Sequence, residues 1–351
     1  WPPSLCVPRP APHFTSSLPL VDLSNPYLVA AATSIAPGRL RIGGSEGDQV
    51  IYNVTVRPCL FVCICGSTDP AFCLSMDRWR DLVTFCQDTG MKLVFGLNSM
   101  TGRASKTSPL NFTNHEAFLQ YTAANKLPVF GFELGNENSG EIDATTFAHD
   151  YITLRGLINK YWPDDASRPL LIGCDDNPDG SYMNEFLPIA GPYMNITTYH
   201  NYVGYGLDPD LSQKMITKAF LDDQISRAMQ VIQAHADHAP NTQLWVGEGA
   251  AAWHSGRDNC TNAFESSIWY IDTLAALAAY NHTGYQRQTL RGGWYGLLDR
   301  DTYKASKQAN ACPNPDFYVG KAFHDHVGDD VIQISKTAGD LVDSVRAYAH
   351  W

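Results

Sequence analysis

No run in this 351-residue sequence approaches the roughly 18 consecutive apolar residues that a membrane-spanning helix requires, which excludes such a helix within it. Clusters of lysine and arginine are missing too. With 25 basic residues against 36 acidic ones the formal charge is −11, so the attraction that nucleic acid or a heavily sulfated polymer demands is not there. A neutral or singly charged ligand suits that balance better. Metal signatures are also lacking: there is no H-E-x-x-H or paired cysteine motif, and the histidines of His324-Asp325-His326 would leave a helix on different faces. No metal and no cofactor are expected. Internal repeats and low-complexity tracts are absent. The sequence opens on Trp1 rather than Met and is therefore silent about a leader peptide.

What is present is a chain that is 44% hydrophobic and long enough for one large α/β domain or two modest ones. Five N-x-S/T sites, at Asn53, Asn111, Asn195, Asn259 and Asn281, and nine cysteines point to a secretory route. The expected destination is secretion, the cell wall, or a lysosome- or vacuole-like compartment. A monomer is expected, and membrane association of a longer protein stays open. Cys63 and Cys65 lie on an apolar run, which reads as small buried hydrophobes or as one disulfide somewhere in the segment from Cys59 to Cys73. An odd count leaves at least one thiol free or paired beyond this sequence.

Short β-prone runs ending in Gly, Asn or a carboxylate alternate with longer segments of helical period, the pattern of a parallel sheet built from βα units. Strands are expected at Leu40–Ile42, Lys92–Leu97, Val129–Leu134, Leu170–Gly173, Ile196–His200, Gln243–Gly247 and Leu290–Tyr295. Helices are expected over Met76–Thr89, capped by Ser75 and stopped by Gly90, and over Met215–Ala239 and Ala263–Tyr280. Seven parallel strands close poorly, whereas eight make a (β/α)8 TIM barrel, so the fold class expected is α/β with the first strand lying before Trp1. Residues 1–327 form the barrel in this reading. Extended stretches at Val331–Ser335 and Leu341–His350 then begin a truncated C-terminal β domain, residues 328–351.

Reactive groups of such a barrel sit where the strands end. Two carboxylates stand there. Gly131-Phe132-Glu133-Leu134-Gly135-Asn136-Glu137 delivers Glu137 to the mouth, and Leu244-Trp245-Val246-Gly247-Glu248 delivers Glu248 to the same rim, from the fourth and seventh strands of the expected eight. Glycoside hydrolysis needs such a pair, one carboxyl to protonate the leaving oxygen and one to attack or assist at the anomeric carbon. A glutamate after a strand is more often an ordinary surface acid, but the Asn-Glu pair and the small residues around both positions favour chemistry. Glu133, two residues before Gly135, should instead point into the barrel as a hydrogen-bonded structural acid.

These motifs, with Trp1-Pro2-Pro3, Asp22-Leu23-Ser24-Asn25-Pro26, Leu40-Arg41-Ile42-Gly43-Gly44, Cys73-Leu74-Ser75-Met76-Asp77-Arg78-Trp79, Phe95-Gly96-Leu97-Asn98, Gly292-Gly293-Trp294-Tyr295 and Arg346-Ala347-Tyr348-Ala349-His350, resemble glycoside hydrolase family 79, the heparanase and β-glucuronidase family, and most of all its plant-type heparanase-like members. The resemblance implies Glu137 as acid/base, Glu248 as nucleophile, and a retaining double displacement with carboxyls about 5 to 5.5 Å apart. Glu137 must then be protonated for the first step, with a raised pKa that falls once Glu248 is esterified. Asn136 would hold the sugar 2-hydroxyl. Tyr202, Tyr295, His200, Gln288 and Asn98 correspond to cleft positions, Tyr295 toward a uronate carboxylate and Tyr202 toward the nucleophile. Trp253, His254 and Ser255 belong to a loop that lines the sugar site, with Trp253 standing where relatives carry Tyr and so lacking its hydroxyl.

Heparan sulfate would demand Arg or Lys forks in the cleft. Only Arg103 and Arg257 offer themselves, and Asp175-Asp176-Asn177-Pro178-Asp179 is acidic where an animal heparanase would be basic. The reading is therefore an exo-acting β-glucuronidase whose partner is a glucuronic acid-containing glycan or glucuronide. The alternatives are a clan A glycosidase for neutral β-glycosides and an inactive sugar-binding or structural relative.

Overall fold

The computed structural model describes residues 21–54, 72–299, 312–328, 330–332 and 346–351. Trp1-Pro2-Pro3, the Cys63 and Cys65 pair and most of the expected C-terminal strands lie outside these. The strands in chain order are β1 (Arg39–Ile42), β2 (Val50–Asn53), β3 (Phe72–Ser75), β4 (Lys92–Leu97), β5 (Gly131–Leu134), β6 (Leu170–Asp176), β7 (Ile196–Tyr205), β8 (Gln243–Trp253), β9 (His282–Arg287), β10 (Val331–Ile332) and β11 (Ala349–His350). Seven of them form one parallel sheet in the order β1-β4-β5-β6-β7-β8-β9. The sheet curls until its two edges, β1 and β9, come within 8 Å of each other without pairing. It is an α/β barrel, nearly closed. β2 and β3 make a separate parallel pair, and β10 with β11 an antiparallel one.

Alternation along the strands builds two apolar layers. On β4, Leu93, Phe95 and Leu97 face outward and pack with Trp79, Phe118 and Phe132 beneath the helices, while Val94 faces inward. Inside, Val94, Ile172, Ile196 and Trp245 close the barrel floor. The helix Met76–Thr89 occupies its expected span because Ser75 Oγ accepts from the Arg78 amide at 3.1 Å and Gly90, at φ 73°, ends it in the left-handed region. No helix among the described residues is long and apolar enough to cross a membrane.

One expected strand is misplaced. Leu290–Tyr295 is a loop, with Gly292 and Gly293 at φ 124° and 61°, and the seventh strand of the sheet is His282–Arg287. Polar residues hid it: His282 bonds the buried Tyr199 hydroxyl at 2.8 Å, and Gly284 lies where a Cβ would sit 2.5 Å from the Trp245 ring. Three strands also run further than expected, β6 to Asp176, β7 to Tyr205 and β8 to Trp253, each past a register shift. Cys73 and Cys312 are each disulfide-bonded, while Cys86, Cys174 and Cys260 are buried free thiols.

Candidate active site

The inward faces of the strands change character above the floor. Arg41 on β1, two residues beyond Arg39, sends its guanidinium across the barrel: Nε donates to Glu133 Oε2 at 2.7 Å, Nη1 to Glu248 Oε2 at 2.8 Å, and Nη2 to Asn136 Oδ1 at 3.1 Å. Asp175 Oδ1 lies 3.8 Å from the same Nη2. Burial opposes the charge on Arg41, but Glu133, Asp175 and Glu248 outweigh it and hold the group firmly protonated. Glu133 is thus an interior acid tied to Arg41, and burial pushes its carboxyl up against that pull.

Glu248 takes its second hydrogen bond from Tyr202, whose hydroxyl donates to Oε1 at 2.5 Å. Although burial favours the neutral acid, His200, Arg41 and Tyr202 together lower the Glu248 pKa, so it stands ionised. Glu137 follows a left-handed Gly135 and is itself left-handed, at φ 54°. A Cβ on Gly135 would come within 2.5 Å of Ser99 Oγ and Asn138 Nδ2, so glycine is required there. Such a backbone at a glutamate costs of order 1–3 kcal/mol. It is held by the Glu137 amide, which donates to the Asp175 carbonyl at 2.8 Å, and by Asp176, which accepts from the Ser139 amide and hydroxyl. The Glu137 side chain is 34% exposed and its Oε1 is 2.7 Å from His200 Nδ1.

One oxygen of Glu137, one of Glu248 and a ring nitrogen of His200 lie within 4.8 Å of one another. Three such donors could in principle take a cation. Here both Glu248 oxygens already accept hydrogen bonds, one of them from a buried Arg41, so the cluster is built as a charge-balanced carboxylate pair rather than as a cation cage. Its chemistry is that of two acids in different settings, one held ionised and one open to solvent.

The remaining expected residues divide. Asn136 is buried beside the pair, its amide N–H bonded to Asp48 and its Oδ1 to Arg41. Gln288, Ser255 and Tyr295 line, together with Glu248 and Arg41, a cleft of about 1060 Å³ that runs along the seam between β1 and β9. The Tyr295 hydroxyl accepts a 3.4 Å hydrogen bond from Gln288 Nε2. Asn98 is not brought to the site: it is buried, its Nδ2 donates to the Val50 carbonyl and its Oδ1 caps the Met100 and Thr101 amides. Trp253, 50% exposed, stacks on Tyr205 with ring centres 4.4 Å apart, and the His254 ring stands edge-on against both.

Two arguments about sulfate change as well. Arg103 is buried in a pair with Asp150 and cannot serve a ligand. Asp175 and Asp176 are both buried, so they are not the acidic rim the sequence suggested. Arg41 and Asp175 escaped notice as site residues, yet an arginine between Leu40 and Ile42, on the inward register of a strand, was a readable signal.

Known proteins agree with this architecture. The family model described as glycosyl hydrolase family 79, N-terminal domain, matches residues 1–275. Heparanase-like protein 3 of Arabidopsis thaliana is 33% identical over 368 residues, covering 100% of this chain and 66% of that protein; baicalin-beta-D-glucuronidase of Scutellaria baicalensis is 28% identical, covering 100% and 70%. The chain thus spans about two thirds of the length of these relatives. Among solved structures, the alpha-L-arabinofuranosidase of Thermotoga maritima superposes with a TM-score of 0.63 at 15% identity, covering 87% of this chain and 64% of that one, a likeness of fold alone. On the family match and these relatives together, the chain belongs to glycosyl hydrolase family 79.

Proposed function

We propose that this protein is a retaining glycoside hydrolase that removes β-linked glucuronic acid from a glycan or glucuronide, with Glu248 as nucleophile and Glu137 as acid/base. The observation that carries the reading is the approach of the two carboxylates to within 4.8 Å. Retention calls for about 5 to 5.5 Å, whereas inversion needs roughly 6.5 to 9.5 Å to admit a water. The settings favour the role split. An ionised Glu248, fixed by Arg41 and Tyr202, suits attack on the anomeric carbon. Glu137, open to solvent, suits proton exchange with the leaving group and then with water.

In the first step Glu137 gives its proton to the glycosidic oxygen as that C–O bond breaks and a Glu248 oxygen bonds the anomeric carbon. In the second, the Glu137 carboxylate takes a proton from water, whose oxygen displaces Glu248. Asn136 shares Arg41 with the nucleophile, which supports its assignment to the 2-hydroxyl, and Tyr295, Gln288 and Ser255 offer neutral donors to a single carboxylate. With Arg103 committed to the fold, the case for sulfate recognition weakens further. A relative named for a β-D-glucuronidase supports the choice of sugar.

The same reading takes residues 1–327 as the catalytic barrel and 328–351 as the start of a β unit, supported by the change to antiparallel pairing at β10 and β11. A secretory destination fits the exposed sequon asparagines 111, 195, 259 and 281. The test is hydrolysis of nitrophenyl β-glucuronide, β-glucoside and β-xyloside by the protein, followed by mass mapping after reaction with a mechanism-based uronic acid inhibitor. Glucuronide preference and a label on Glu248 are expected. A preference for the glucoside or xyloside refutes the uronate assignment, and a label elsewhere refutes the nucleophile.

A further inference from the structure

Asp175 is buried completely, and neither of its carboxylate oxygens has a hydrogen-bond partner among the described residues. Burying an unpaired carboxylate is unfavourable unless nearby charge compensates it. Oδ1 lies 3.7 Å from His200 Nε2, itself buried and without a hydrogen-bond partner among the described residues, and 3.8 Å from Arg41 Nη2. The fold makes room for this acid. A Cβ on Gly247 would stand 2.2 Å from Asp175 Oδ1, and Gly247 is the extra residue where the β7–β8 register shifts. Asp175 is also left-handed, at φ 55°, and its carbonyl accepts the Glu137 amide. One residue therefore grips the main chain of Glu137 and faces the far side of the ring that bonds its carboxyl.

We propose that Asp175 is a positioning residue for the Glu137 proton: it orients the His200 ring with a hydrogen on Nε2, so that Nδ1 is the atom presented to Glu137. A bare Nε2 would aim its lone pair at a buried carboxylate, which is repulsive. With the hydrogen on Nε2, Nδ1 accepts from Glu137 when the acid carries the proton and donates to it when the ring carries both. The bond is given up when the proton passes to the leaving oxygen and is restored when water reprotonates Glu137. The logic is that of an acid that fixes the tautomer of a histidine working on a third group. Around His200 stand Glu133 and the loop-borne Glu137 from the β5 side, Asp175 and Asp176 from β6, Glu248 from β8, Arg41 from β1 and Tyr202 on its own strand. Among these, Asp175 is the one that faces Nε2.

The inference rests on the proposed glucuronidase mechanism for its kinetic test but not for its spectroscopic one. In Asp175→Asn the shape is kept and the charge removed. Activity on a glucuronide with a poor leaving group should fall by roughly 10² in kcat with KM little changed, since its departure needs the proton. Dinitrophenyl glucuronide, which needs little protonation, should lose less than about threefold. The alkaline limb of kcat/KM should move to lower pH, because a negative charge that favours the bound proton is gone. Equal losses on both substrates with an unmoved pH profile would overturn the idea. Should the variant not fold, or the wild type hydrolyse no glucuronide, nitrogen-15 histidine spectra of the wild type decide, with His200→Gln assigning the ring. A hydrogen on Nε2 is expected. A ring protonated on Nδ1 alone overturns the proposal, whereas an inactive wild type with the expected tautomer refutes only the enzymatic reading.

Discussion

Arg39 and Arg41 share the inward register of β1 and differ in almost everything else. Arg39, near the floor, is exposed and lies over the Trp245 ring at 4.3 Å, beside the apolar group of Val94, Ile172 and Ile196. Arg41, with a side chain 7% exposed, touches Glu133, Glu248 and Asn136 and lies close to Asp175. The floor is an ordinary packed core in which each side chain gains by leaving water. The mouth buries acids and cations whose desolvation is recovered only collectively, so each member depends on all the others. A barrel can therefore be stable in its lower half and chemically poised in its upper half while using the same strands.

The largest effect should come from breaking that interdependence. Arg41→Met leaves Glu133 and Glu248 without their cation and is expected to destabilise the fold by about 3–5 kcal/mol, the range for removing one partner of a buried pair. Arg39→Met removes a cation–π contact at an exposed site and should cost only about 0.5–1 kcal/mol. Urea unfolding of both variants measures the contrast directly. Similar losses would mean that the mouth is no more interdependent than the floor.

How far the sequence revealed this contrast depends on the range of the interactions. The helix Met76–Thr89 was legible because its stop and start signals, Ser75 and Gly90, are local. Glu137 and Glu248 were legible because a strand followed by a carboxylate is also a local pattern. Arg41 bonds residues 92, 95 and 207 positions away, and no window along the chain joins them. Asn98 failed for a related reason. Its place after β4 is a cleft position in sequence, but whether its amide turns to the ligand or to the Val50 carbonyl depends on β2, far from any periodicity in β4 itself. His282–Arg287 was missed because its partners, Tyr199 and Trp245, are what make a polar, glycine-containing segment a strand.

A smaller effect separates the mouth from the floor by pH. Burial opposes charge on His200, but Glu248, Asp175 and Glu137 outweigh it, so its pKa is raised from 6.5 to about 10. A group with a raised folded pKa contributes stability that is fully present below its unfolded value and lost as pH rises through the folded one. His200 should thus stabilise the protein most below about pH 6.5 and progressively less up to about pH 10. Glu248, whose pKa is lowered, works in the opposite sense: its contribution is present above the unfolded value of 4.5 and lost as pH falls through the folded one. The stability gap between wild type and His200→Gln should narrow between about pH 6 and pH 10 in urea titrations. A constant gap would show a ring that stays neutral, held by packing alone.

The smallest effect is expected just beyond the mouth. Trp253 pairs with Tyr205 at the far ends of β8 and β7, five positions past Glu248. Successive side chains of a strand alternate, so Ala250 and Ala252 share the face of Glu248 and Trp253 takes the other. Its exposure and its stacking on Tyr205 agree with that orientation. Trp253→Tyr, which adds the hydroxyl expected there from the family resemblance, should therefore alter stability by no more than about 0.5 kcal/mol and glucuronide kcat/KM by no more than about twofold. Steady-state kinetics on a small nitrophenyl glucuronide, repeated with a bulky glycan, measure both ends of the range. A tenfold change on the small substrate would place the Trp253 ring against the sugar, and the division would then fall between Trp253 and Tyr205 rather than between Glu248 and Trp253.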